Sequence, residues 1–172
     1  MITLLDRVGT PFSPEWVAEF RGFFAGEGSL SIQVIRKKDN LLFRPRCRIS
    51  LRLDDREILE VFHIRIGGSL FYTDKQASVN SFGRRNPTIT WDASSLCHAK
   101  IIRELLRSPI LPAKKFKEFP LWSEAIDILL DKKASYKWGG LRFTPDQKAR
   151  LLEISALLKE LKVCKVLLPK SD

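Results

Sequence analysis

The chain has 172 residues, 44% of them hydrophobic, which is enough to bury one core, so we expect a single domain. Thirty Lys and Arg residues stand against 20 acids, and this net charge of +10 favours a polyanionic partner such as nucleic acid. The sequence has no long apolar run, no N-terminal signal pattern and only three widely spaced cysteines, so we expect an intracellular, cytoplasmic or organellar protein with no membrane partner, disulfide framework or zinc set.

The first predicted element is an amphipathic helix. It begins after Ser13, which is a good N-cap, and Pro14 fits the first helical position. Spacings of three and four residues place Val17, Phe20 and Phe24 on one apolar face. This face is expected to pack into the core.

A second face of this helix carries almost no side chain, because Ala18, Gly22 and Gly26 recur every four residues. Glycine inside a helix costs roughly 1 kcal/mol relative to alanine, so the two glycines need a reason. Small residues let two helix backbones approach closely. We therefore predict a homodimer whose interface is formed by Ala18, Gly22, Ala25 and Gly26.

The same helix ends in Gly26-Glu27-Gly28. A carboxylate at this end is disfavoured by the helix dipole, and the last carbonyl groups have no partners within the helix. Carboxylate and carbonyl oxygens are the ligands of a hard cation such as Mg²⁺, and pairing of two helices would bring two Glu27 side chains together. In the alternative reading, the glycines only end the helix and Glu27 is solvated.

Two strands with alternating polar residues are predicted next. Residues 29–36 alternate, with Leu30, Ile32 and Val34 on one face, and a basic loop follows from Lys37. Residues 44–53 place four arginines on one face, and these repel one another unless anions lie across them. Arginine is also the commonest reader of guanine edges. The polar side chains expected to contact DNA on these strands are Ser29, Ser31, Gln33, Lys37, Arg44, Arg46, Arg48, Ser50 and Arg52.

A charged edge strand that avoids aggregation is the alternative explanation for the arginines, although lysine serves that purpose at least as well.

The next predicted element is a helix that ends at Ile66, before Gly67-Gly68, and Asp54 and Glu57 resemble a capping box at its start. Strands are predicted over 69–74 and 86–92. A second group of expected DNA contacts comprises Tyr72, Arg84, Arg85, Thr88 and Thr90.

Three further helices complete the predicted order. The first follows Ser94 or Ser95, and the second follows a proline-containing loop over 108–112, with Pro120 as a kink or a late start. The third runs from Thr144, which opens a capping box, to about residue 162, and we expect it to be outer scaffold. Up to the first of these three helices, the order helix–strand–strand–helix–strand–strand–helix suits a four-stranded antiparallel sheet with one face not covered by helices.

Residues 20–29, in which Gly22-Phe23-Phe24 precedes Gly26-Glu27-Gly28-Ser29, resemble the signature helix of the LAGLIDADG homing endonucleases. The resemblance covers about residues 14–130. It implies an α+β fold of order αββαββα, with a saddle-shaped sheet, helices on one face, and a C-terminal helical extension over about 131–172. It also implies that Glu27 binds the catalytic metal, and that Lys114 matches the lysine beside the scissile phosphates.

The resemblance further implies a site-specific double-strand DNA endonuclease. One signature per chain implies a symmetric homodimer with a long pseudo-palindromic target, and cleavage leaving 3′ overhangs. Mg²⁺ is the implied cofactor, for which Mn²⁺ or Ca²⁺ would substitute in binding, and no organic cofactor is expected. Leu51-Arg52-Leu53 stands where the family commonly has a glutamine, which leaves the water-positioning residue open. The alternatives are an intron RNA maturase and a catalytically inactive DNA-binding protein on the same fold.

Overall fold

The computed structural model describes residues 5–7, 9–38, 40–73, 86–107, 113–131 and 143–162. A short 3₁₀ turn, Leu53–Asp55, precedes the second helix. In chain order the elements are α1 (Pro14–Glu27), β1 (Gly28–Lys37), β2 (Asn40–Arg52), α2 (Arg56–Ile66), β3 (Ser69–Thr73), β4 (Thr88–Ala93), α3 (Leu96–Leu106), α4 (Ala113–Leu130) and α5 (Pro145–Glu160). Within these ranges, no helix has the length and apolar character needed to cross a bilayer.

The four strands form one antiparallel sheet in the order β1-β2-β4-β3. The predicted α+β class and the predicted order of elements are therefore confirmed. The alternation predicted for β1 and β2 is also confirmed, because Leu30, Ile32, Cys47 and Ile49 are buried while their polar neighbours on the strands are more exposed. The helices cover the buried face of the sheet, and the polar face is left open.

The core lies between the sheet and the helices, all five of which contribute buried residues, and a group of aromatic rings packs together where α1 and α2 meet the sheet. Phe62 of α2 packs edge-on against Phe20 and Trp91, with ring centroids 5.1 and 5.7 Å apart. Phe20 also stacks on Phe24 at 5.8 Å. Edge-to-face and offset aromatic pairs add to the stabilisation that burial provides. This packing fixes the apolar face of α1 and thereby determines where its other faces point.

The start of α2 differs from the prediction. Asp54 lies in the 3₁₀ turn, and its carboxylate accepts a hydrogen bond of 2.7 Å from Arg52. Asp55 is the N-cap residue, and its side chain makes no capping hydrogen bond. The predicted capping box is therefore wrong, because the turn places the N-cap one residue later, at Asp55. Ser95 is the cap of α3, and its hydroxyl accepts from the His98 amide at 3.1 Å.

Helix α5 lies against β1 and α4 and contributes one face to the core, while its opposite face is exposed. Leu151, Ile154 and Leu158 of α5 are fully buried, and the Ser155 hydroxyl donates to the Ile32 carbonyl of β1 at 2.9 Å. The hydrophobic spacing of α5 indicated a buried face, but it did not indicate which element that face would cover. The predicted capping box at Thr144 is confirmed.

Candidate nucleic-acid interface and metal centre

The open face of the sheet carries the predicted polar rows side by side. In the β1–β2 pairing, Ser29 lies opposite Arg48 and Ser31 lies opposite Arg46, while Gln33 lies opposite Arg44. Directly opposed residues in an antiparallel pair share a face. The backbone register therefore brings the two predicted rows together into one polar surface.

The β2–β4 pairing extends this surface. Ser50 lies opposite Thr90, and their hydroxyls are hydrogen-bonded at 2.8 Å. Arg52 lies opposite Thr88 in the same register. Lys37 is exposed at the far end of β1. Of the side chains predicted to contact DNA, those on β1, β2 and β4 thus share one face.

Asp92 of β4 lies among the arginines of this face. Its Oδ2 atom accepts from Arg46 Nε at 2.7 Å and from Arg48 Nη2 at 3.0 Å. Burial is the largest single influence on Asp92 and raises its pKa, but the hydrogen bonds and charges of Arg46 and Arg48 together outweigh it, so the pKa lies below its ordinary value. The carboxylate of Asp92 thus offsets part of the repulsion expected along β2, and no local pattern in the sequence identifies this residue.

The register of β3 corrects one predicted contact. Tyr72 lies opposite Ile89, which is buried under the helices, whereas Phe71 lies opposite Thr90 on the open face. Tyr72 is therefore on the helix-covered side of the sheet, at its edge. Phe71, of which 52% is exposed, takes its place on the open face. Arg84 and Arg85 lie outside the described residues.

The bare face of α1 is free in the single chain. Ala18, Gly22 and Gly26 are exposed, and Ala25 is half-buried. A Cβ atom added at Gly22 or Gly26 would meet no atom within 4 Å. Contacts within this chain therefore do not require either glycine, so their cost is not explained by the packing of one subunit.

The end of α1 presents the predicted carboxylate. Glu27 is the last residue of the helix and is exposed, and the Gly28 amide donates to the Phe24 carbonyl. A Cβ atom at position 28 would lie 2.4 Å from the Phe24 ring, so this position accepts only glycine. Among the residues that the structure describes, no group of three His, Cys, Asp or Glu side chains could hold a metal ion. Within the described residues, Glu27 is therefore not part of a cluster of three such side chains.

Lys115 of α4 approaches this same turn. Its ammonium group donates to the Gly28 carbonyl and to Glu118 Oε2, the latter at 2.9 Å, and it lies 5.5 Å from the centre of the Phe24 ring. Lys115 and Glu118 are both buried. Lys114 lies in the first turn of α4, but its side chain is outside the described part of the chain. The pair of Lys115 and Glu118 was not predicted from the sequence, although their spacing of three residues on one helix is a signal that could have identified it.

Comparison with known proteins gives similarity in structure alone, since no family model and no curated protein matches the chain. The archaeal intron-encoded homing endonuclease I-Vdi141I, complexed with DNA, is 17% identical and has a TM-score of 0.64, over 91% of this chain and 88% of that one. The chain has the LAGLIDADG endonuclease fold. This fold agrees with the α1–β1–β2–α2–β3–β4–α3 order described above.

Two further structures with the LAGLIDADG fold support this assignment. I-GzeII, in complex with its DNA target, is 24% identical with a TM-score of 0.62, over 84% of this chain and 44% of that one. This chain therefore spans less than half of the length of I-GzeII. I-CvuI, in complex with its target in the presence of Ca, is 15% identical with a TM-score of 0.64, over 87% of this chain and 83% of that one.

Proposed function

We propose that the protein is a site-specific double-strand DNA endonuclease of the homing type, acting as a homodimer on a long pseudo-palindromic target. Hydrolysis would depend on a divalent metal and leave 3′ overhangs. The observation that carries the proposal is the combination, within one LAGLIDADG fold, of an open arginine-rich sheet face and an exposed carboxylate, Glu27, at the end of a bare helix face.

DNA binding is supported by the charge and shape of the open face. Arg44, Arg46, Arg48 and Arg52 project from one strand of that face, and the whole chain carries a net charge of +10. Such a surface releases counterions from the DNA backbone, so binding should weaken steeply with salt. The structure of the neighbour I-Vdi141I is a complex with DNA, and that of I-CvuI is a complex with its target.

Dimerisation is supported by the exposed row of Ala18, Gly22 and Gly26 on α1. A two-fold axis along this row makes the interface self-complementary and implies a target with two related half-sites. The same pairing would bring one Glu27 from each subunit to the axis.

Mg²⁺ is the proposed cofactor, and Mn²⁺ or Ca²⁺ would substitute in binding. The donor set fits a hard cation once two chains pair, because Glu27 supplies a carboxylate and Gly26, in the last helical turn, supplies a carbonyl without a helical partner. When bound there, the ion would activate a water molecule and stabilise negative charge on the leaving oxygen. Glu27 therefore has the role of metal ligand rather than that of a general base.

Two lysines are assigned different roles. Lys114 would offset charge on the phosphate in the transition state, whereas buried Lys115 holds the turn that follows Glu27 through the Gly28 carbonyl. Arg52 stands where the family commonly has glutamine, and it is engaged by Asp54 at 2.7 Å. Its role is therefore assigned to DNA contact rather than to positioning of water.

A cleavage assay on a library of randomised duplexes, with and without Mg²⁺, tests the proposal. Wild-type protein should cut a small set of related sites on both strands only with the metal. Glu27→Gln should bind the same sites without cutting them, and Glu160→Gln, which neutralises an exposed glutamate at the end of α5, should cut normally. Metal-dependent cutting by Glu27→Gln at the wild-type rate would refute the assigned metal site.

A further inference from the structure

The arginines of β2 fall into two classes that differ in how firmly they are held. Arg46 and Arg48, in the middle of the strand, share the carboxylate of Asp92, of which only 4% is exposed. At the strand ends, Arg52 pairs only with exposed Asp54, and Arg44 forms no ion pair with any described residue. The central pair is therefore oriented by the protein before any ligand binds.

The contacts made by Arg46 leave one edge of its guanidinium group available. Its Nε and Nη2 atoms both point at Asp92 Oδ2, so the outer hydrogens on Nη1 and Nη2 remain for another acceptor. Arg48 engages the same oxygen with Nη2 alone, at 3.0 Å. A guanidinium edge with two parallel hydrogens matches the O6 and N7 acceptors of guanine.

We propose that Asp92 is a positioning residue that orients Arg46 and Arg48 to read two guanines in each half-site. This inference rests on the proposed function, since it requires that the open face binds DNA. Residues two apart on a strand are separated by roughly 6.6–6.8 Å. Successive base pairs are about 3.4 Å apart, so the two guanines should lie about two base-pair steps from each other.

The presence of Asp92 on the DNA-binding face indicates that this part of the face contributes to sequence specificity rather than to affinity alone. Negative charge opposes binding to the phosphate backbone, so a surface that served affinity alone would not contain Asp92. A guanidinium group already held in place loses less conformational freedom on binding, and it meets only a base that presents acceptors at the right position. Because Arg44 and Arg52 are held less firmly, their side chains can adjust to contact phosphate groups, and they contribute mainly to affinity.

The test compares Asp92→Asn with Asp54→Asn, because each variant removes one acid paired with an arginine of β2. Sites are selected from randomised duplexes with wild-type protein in Ca²⁺, and affinity is then measured on the selected site and on unrelated duplex. Asp92→Asn should lower the ratio of the two affinities at least about tenfold, while binding to unrelated duplex stays equal or tightens. Asp54→Asn should change the ratio by about twofold at most.

Arg46→Lys gives a second measurement that does not depend on how well Asp92→Asn folds. It keeps the charge but loses the planar fork, so guanine preference should relax at one of the two positions with the salt dependence unchanged. If Asp92→Asn and Arg46→Lys both retain the wild-type guanine preferences, the role inferred for Asp92 is wrong, while the proposed DNA endonuclease function is not affected. A wild-type protein that selects no sequence would overturn this role together with the DNA-binding part of the proposed function.

Discussion

The ammonium group of Lys115 donates a hydrogen bond to the carbonyl oxygen of Gly28, the residue that follows Glu27. The same ammonium pairs with Glu118, one turn further along α4, and both side chains are buried. A buried charge that loses its partner is costly, so the two groups depend on each other. Through this pair, the start of α4 holds the junction between α1 and β1, where Glu27 is the last helical residue.

Replacing only the lysine should therefore destabilise the fold. Lys115→Met leaves Glu118 as an unpaired buried charge, and urea titration should show a loss of about 3–5 kcal/mol. The double variant Lys115→Met/Glu118→Met removes both charges and should recover most of that stability. Its DNA cleavage should nevertheless stay at least about tenfold below wild type, because the Gly28 carbonyl is no longer held. Wild-type cleavage by the stable double variant would show that the pair serves folding alone.

A larger side chain at Gly22 should separate folding from assembly. The single chain has room at this position, and leucine is favoured over glycine in a helix by about 0.5–1 kcal/mol, so a Gly22→Leu subunit should fold well. Two such helices could not approach closely, and sedimentation equilibrium should therefore show a monomer. Ala156→Leu, at an exposed small residue of α5, should leave the mass of the assembly unchanged. A dimeric Gly22→Leu protein would place the interface elsewhere.

The turn between α2 and β3 should not tolerate a side chain. Gly67 has φ of +97°, and a Cβ atom there would lie 2.6 Å from His98 Nε2. Gly67→Ala should lower the free energy of unfolding by more than about 2 kcal/mol, since backbone strain and a clash add together. Lys100→Ala, at an exposed position of α3, should change the free energy of unfolding by less than about 0.5 kcal/mol, which makes it a control for the denaturant titration. Equal stability of the two variants would contradict the geometry of this turn.

Stability in acid should depend on Asp92. Its pKa is lowered from 3.8 in the folded protein, because the arginine contacts outweigh the effect of burial, so the unfolded chain binds the proton more readily. The stabilisation is therefore fully present above about pH 4 and is lost as the pH falls through the folded pKa. Thermal melts of Asp92→Asn should show lower stability at pH 7, with a difference from wild type that shrinks below about pH 4. A difference that does not change with pH would show that the charge of Asp92 is not responsible.

The patterns that were predictable from the sequence are those with a strong period. Alternation along β2 placed Arg44 to Arg52 on one face, and spacing along α1 separated its apolar face from its bare face. Each pattern repeats at least three times along its element, so a shift of one residue would disagree with the whole pattern.

The positions that could not be predicted from the sequence are those that depend on strand register, on the direction of a helical residue or on contacts between distant strands. β3 has five residues, and a shift by one exchanges its two faces, which explains why Tyr72 was chosen and Phe71 was missed. Adjacent residues on a helix differ in direction by about 100°, so the loop before α4 did not distinguish Lys114 from Lys115. Asp92 lies 46 positions after Arg46 in the sequence, so no local sequence pattern predicts their contact.

The central claim is that each double-strand cut needs a Glu27 side chain from each of two subunits. Wild-type and Glu27→Gln chains, co-expressed at known ratios, should be assayed on a plasmid that contains the selected site in Mg²⁺. Linear product should follow the square of the wild-type fraction, so an equal mixture should give about one quarter of the wild-type yield. A yield of about one half, in direct proportion to the wild-type fraction, would show that a single subunit cuts both strands and would contradict the paired-carboxylate mechanism.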